Sequence, residues 1–126
     1  MITRIRTWIF PIFLLFSASL IVLIAGCKSA VERYGAETSD QTITKIENIT
    51  ADFANFDGKT VKVAGQIINE CPGGHWFNLK GEKAVIYVTL SGFTLPQKVG
   101  QTVVVEGDVI NEGGRLTILG KGVEIK

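Results

Sequence analysis

Chemistry-bearing side chains are scarce in this 126-residue chain: it has one histidine, two cysteines, one methionine and three prolines. A single imidazole leaves no second histidine for a proton relay. No glycine run has nucleotide-binding spacing, and no two carboxylates can be placed together. "GDVINEGG" supplies Asp108 and Glu112, but Glu112 falls in a turn where solvent covers it. The expectation is a protein that is not an enzyme. A full zinc or copper site usually takes three or four protein ligands, and the cysteine and histidine counts fall short of that. Basic tracts are also missing. Electrostatic affinity for nucleic acid needs clustered Lys and Arg, so nucleic acid is disfavoured as a partner.

What is present begins with a targeting pattern. "MITRIRT" carries Arg4 and Arg6, and no charged residue follows from Thr7 to Cys27. A basic head before an apolar run is the layout of an export signal. The run closes on "LIAGC", which resembles the lipobox of bacterial lipoproteins. That resemblance implies a diacylglyceryl group on the Cys27 thiol, cleavage before Cys27, and a fatty acyl group such as palmitate on the new amino terminus. An uncleaved anchor is the other reading, since the run is about long enough to span a bilayer. Both place the rest of the chain in the bacterial cell envelope, tethered to a membrane and outside the cytoplasm. Lys28 is not the aspartate associated with inner-membrane retention, which favours the outer membrane in a Gram-negative cell. Residues 1–26 are thus read as signal peptide. Without Arg4 and Arg6, the 13 Lys and Arg fall to 11 against 12 Asp and Glu, a net charge of −1.

Residues 27–44 read as the lipidated cysteine and a flexible tether. They are polar, rich in small residues and without a sustained period. Residues 45–126 read as one small folded domain. "ITADFANFDGK" predicts one short helix, with Thr50 as cap, Phe53 and Phe56 on one face, and Gly58 as stop. Five strand patterns follow. "TVKVAGQIIN" alternates, with Val61, Val63, Gly65 and Ile67 on one face. "HWFNLK", "AVIYVTL", "QTVVVEGDVI" and "RLTILGKGVEI" supply the others. The stretch Asn111–Gly114 is a hairpin signal. Gly65, Gly107, Gly120 and Gly122 inside strand patterns suggest bulges or bends. The expected class is all-β: a five-stranded barrel with one short N-terminal helix, preceded by the signal or anchor segment.

"FANFDGKTVKVAGQI", "GFTLPQKVGQTVVVEGDV" and "GGRLTILGKGVEI" together resemble OB-fold domains of exported bacterial lipoproteins, which are akin to anticodon-binding-type OB domains. The resemblance covers most of residues 46–126. It implies a non-enzymatic binding or interaction module, with a glycan, peptide or protein as ligand ahead of nucleic acid.

Two groups of residues could carry function. The first is in "ECPGGHWFN". If Pro72-Gly73-Gly74 is the loop, Cys71 and His75 are directly opposed, with Cβ atoms about 4.5–5.5 Å apart. They could then share a transition metal or form a thiolate–imidazolium pair, with Glu70 or Asn69 completing a metal site. In the resembling proteins this hairpin carries Cys-Pro followed by Gly-Cys-Trp, so His75 stands where a second cysteine would be. Cys71 as a buried filler is the plainer reading. The second group is the outward face of Trp76, Asn78, Lys80 and Tyr87, where OB folds bind chains.

Overall fold

The structure is a computed structural model that describes residues 31–126. Residues 1–30, which include the segment read as a signal and Cys27, lie outside the described residues. Among those described, the order is β1 (Glu32–Gly35), α1 (Ile46–Ala51), α2 (Phe53–Phe56), β2 (Thr60–Glu70), β3 (Trp76–Lys80), β4 (Val85–Leu90), β5 (Thr102–Glu112) and β6 (Arg115–Ile125). No helix among these residues is long and apolar enough to cross a membrane.

Strands β2 to β6 close on themselves. β2 pairs antiparallel with both β3 and β5, β3 with β4, and β5 with β6, while β4 lies parallel to β6. This is a five-stranded, all-β, OB-like barrel. The alternation in "TVKVAGQI" holds: Val61, Val63 and Ile67 are buried. Phe77, Leu79, Ile86, Val88, Val103, Val105, Val109, Ile118 and Val123 fill the rest of the interior. Asn111 to Gly114 makes the expected hairpin, with Glu112 paired to Arg115.

Two bulges shape the sheet. One falls between Ile67 and Asn69 and leaves Ile68 as the extra residue in β2. The other skips Lys121, because Glu106 pairs with Gly122 and Gly107 with Gly120. A Cβ on Gly107 would stand 2.2 Å from the Leu119 carbonyl oxygen, so the strands can approach this closely only over glycine.

The helix differs from expectation. It is two pieces, starts at Ile46, and breaks at Asp52. Ile46 and Ile49, three apart, point one face into the core and set the earlier start. Thr50 is no cap: its hydroxyl donates to the Glu47 carbonyl at 3.1 Å, inside the helix.

The tether reading to residue 44 is also corrected. Residues 32–35 form β1, antiparallel to β6, with Glu32 opposite Ile125 and Gly35 opposite Gly122. The chain then crosses the outside of β5 and β2. The Ala36 N–H donates to the Lys121 carbonyl at 2.7 Å. The Thr38 hydroxyl donates to Glu124. The Ser39 N–H and hydroxyl both donate to Glu106 at 2.9 Å. Lys62 donates to the Ser39 carbonyl at 2.8 Å. Glu106 and Glu124 flank Val104, which is 2% exposed although alternation turns it outward. The segment is polar because it binds a polar strand surface through its backbone and hydroxyls. Such a segment has no apolar period to read.

Candidate functional site

The two sequence candidates fare differently. The "CPGG" segment is a tight turn closed by the Gly74 N–H donating to the Cys71 carbonyl at 2.9 Å. Gly74 has φ +74, and a Cβ there would meet the Leu95 carbonyl oxygen at 2.1 Å, so glycine is required twice over. The turn shifts the expected register. The Cys71 N–H donates to the Trp76 carbonyl, while the His75 carbonyl accepts from Leu90 of β4. Cys71 and His75 are therefore not directly opposed. Their side chains still border a common point: a Cβ on Gly73 would lie 3.1 Å from His75 Nε2 and 3.8 Å from Cys71 Sγ.

Of the helpers expected for a metal, Asn69 is engaged elsewhere, and Glu70 uses one carboxylate oxygen while the other is buried without a partner among the described residues. The Glu70 carboxylate accepts from the backbone N–H groups of Lys98 and of Val99, the latter at 2.8 Å. Asn69 Oδ1 accepts from the Asn78 amide at 2.7 Å. Among the described residues no three His, Cys, Asp or Glu side chains group closely enough to hold a metal ion. Cys71 is a free, half-buried thiol and His75 is exposed.

The outer face of β3 and β4 is more developed. Burial of Phe77 and Leu79 on β3, and of Ile86 and Val88 on β4, turns their neighbours outward. Asn78 pairs with Tyr87 and Trp76 with Thr89. The Trp76 and Tyr87 rings lie 5.5 Å apart, tilted by 32°. That separation suits an attractive aromatic pair. Arg115, from the start of β6, lays its guanidinium carbon 4.7 Å from the Tyr87 ring centroid. Stacking holds the cation on the ring while leaving its N–H edges for a ligand. Trp76, Asn78, Tyr87 and Arg115 line a hollow of about 550 Å³. Among the described residues Arg115 makes no ion pair.

Lys80 does not join this hollow. It pairs with Val85 and lines a separate groove of about 370 Å³ with Ile43, Glu47, Gln66 and Gly81. Arg115 was missed in the sequence because it lies 28 positions from Tyr87. The parallel pairing of β4 with β6, which sets Tyr87 against Thr117, was the signal that could have found it.

The loop beyond β3 is held by Glu47, whose carboxylate accepts from the backbone N–H groups of Lys83 at 2.7 Å and Ala84 at 3.0 Å. These backbone donors hold its pKa down at about 2.

No family model matches this chain, and no curated protein matches it. Among solved structures it is similar to the hypothetical protein YgiW of E. coli, with a TM-score of 0.53 and 19% identity, over 74% of this chain and 99% of that one. This likeness shows the barrel fold.

Proposed function

We propose that this protein is a membrane-anchored, non-enzymatic binding module of the bacterial cell envelope. Its anchor is lipid on Cys27, and its OB-like barrel takes an extended glycan or peptide at the Trp76–Tyr87 hollow. The observation that carries the reading is the outward pair of rings with an unpaired guanidinium stacked on one of them. Aromatic faces bind sugar rings or peptide groups by stacking, while Asn78 and Arg115 offer hydrogen bonds that fix orientation. Near-neutral charge argues against nucleic acid. Trp76 is the only tryptophan after residue 26, so its fluorescence reports on the hollow once the signal is removed.

The test is a fluorescence titration of the lipid-modified protein with envelope oligosaccharides, extended peptides and single-stranded oligonucleotides. Saturable change with a glycan or peptide, lost in Trp76→Ala, is expected. Saturation with oligonucleotides alone, or no response to any of the three, overturns the reading.

A thiol-active factor built on Cys71 and His75 is the alternative, favoured by their convergence above Gly73. That reading expects His75→Ala to slow alkylation of Cys71 near neutral pH. An unchanged rate removes it.

A further inference from the structure

At the end of the barrel where β1 begins, three aliphatic side chains are exposed. Val31 is 44% exposed, Val99 56% and Ile68 42%. Three contacts bring them to the same end. Lys98 Nζ lies 3.0 Å from a Glu32 carboxylate oxygen, which ties the neighbours of Val99 and Val31. The Gly100 N–H donates to the Ile67 carbonyl at 2.8 Å, which ties the same loop to the bulge at Ile68. The Lys126 N–H donates to the Thr102 carbonyl at 2.9 Å, closing this end beside it. Ile68 is the extra residue of its bulge, so it is turned out of the pairing that occupies its neighbours.

Chain length decides what this patch meets. Glu32 is already paired to Ile125, and it stands five residues after Cys27. Five residues reach at most about 18 Å when fully extended. A tether running to residue 44 would have let the domain wander well clear of the headgroups. The observed β1 removes that freedom. We infer that the end bearing Val31, Ile68 and Val99 rests on the surface of the lipid bilayer, with its aliphatic side chains in the headgroup region. The inference rests on the reading of Cys27 as the lipidated residue.

Three aliphatic side chains would hold a free protein to a membrane only weakly. A tether this short converts the contact into an intramolecular one at high effective concentration, so a weak patch suffices.

The experiment uses the full chain, purified with its lipid and reconstituted into phosphatidylcholine vesicles. In a Cys71→Ser background, an environment-sensitive fluorophore is attached at Val99→Cys, Ile68→Cys or, as the distal control, Glu112→Cys. Vesicles containing a nitroxide lipid labelled near the glycerol should quench the probes at 99 and 68 by at least about twofold and leave 112 nearly unchanged. Intact mass is measured on the same samples. Lipid-modified protein with no quenching at either 99 or 68 overturns the inference and leaves the anchor reading intact. Equal quenching at all three sites also overturns it, because the barrel would then have no preferred end. An unmodified mass beginning at Met1 overturns the anchor reading and this inference with it.

Discussion

Two outer surfaces of one barrel are treated in opposite ways. Beside β6 and across the outside of β5 and β2, the chain covers itself. Residues 31–44 lie across that surface, and Glu106, Glu124 and Lys62 all have partners there. On the outside of β3 and β4, nothing from the described chain lies over Trp76, Tyr87 and Arg115. Both surfaces alternate outward from the same kind of apolar interior. The covered surface uses its polar groups to hold its own backbone. The open surface leaves a guanidinium and two rings uncovered, beside an Asn78 amide that donates to Asn69. A barrel of this size has few surfaces, and the contrast between a covered one and one that leaves aromatics open is what the proposed ligand site rests on.

Removing the cover should have the largest effect. A chain beginning at Lys45 loses the β1 pairing and the hydrogen bonds to Glu106 and Glu124, and it exposes Val104. The three hydrogen bonds to these carboxylates, two of them exposed, are worth about 4 kcal/mol together. For a domain this small that corresponds to a fall in Tm of roughly 20 °C. Thermal unfolding of fragments 45–126 and 31–126 measures it. Equal Tm values would mean that the segment is a tether after all.

On the open surface the expected sign is different. Trp76→Ala should cost less than about 1.5 kcal/mol in stability, the order of its pairing with Tyr87. Its effect on binding should be about 2 kcal/mol, or roughly thirtyfold in Kd, as for an aromatic anchor. Denaturant unfolding and the fluorescence or calorimetric titration measure the two separately. A large stability loss with unchanged binding would reverse the comparison and make Trp76 a structural residue.

A single residue sharpens the covered side. Glu124 has its pKa lowered, first by the Thr38 hydroxyl and then by the Arg33 charge. Glu124→Gln keeps the shape and removes the charge, so it should destabilise by about 1–2 kcal/mol at pH 7, measured by denaturant unfolding. The fragment that begins at Lys45 lacks Thr38 and Arg33 and keeps Lys126 at 3.7 Å, so it should lose less on the same substitution.

The sequence made the barrel legible for a physical reason. Period-two burial in "TVKVAGQI" and a Gly-Gly hairpin are local signals. The glycines at 65, 107, 120 and 122 signalled close approach without saying to what. The cover was illegible because its bonds run to residues about 20 to 90 positions away. The same reason hid Arg115, while Trp76, Asn78 and Tyr87 could be placed from the alternation of two neighbouring strands. Lys80 was misplaced because alternation gives a face and not a height along it. Cys71 and His75 stand one step out of the expected register because Gly74 closes the turn onto Cys71 and does not sit in a three-residue loop.

The smallest effect concerns the loop that borders the open surface. Glu47 of α1 holds the β3–β4 turn by accepting from Lys83 and Ala84, and its pKa is about 2, below the ordinary 4.5. A carboxyl whose folded pKa is depressed binds its proton more readily in the unfolded chain. Its contribution to stability is therefore complete above about pH 4.5 and is lost as the pH falls toward 2. Glu47→Gln keeps one acceptor oxygen for the turn but removes the charge. It should lower the Tm modestly at pH 7, and the gap from the parent protein should narrow through this window and close near pH 2. The Val104 side of the barrel should show no response to this substitution in hydrogen exchange, while the amides of Lys83 and Ala84 should exchange faster. A Tm gap that is independent of pH would mean that Glu47 acts through packing alone, and the turn beneath the open surface would then be held by its backbone.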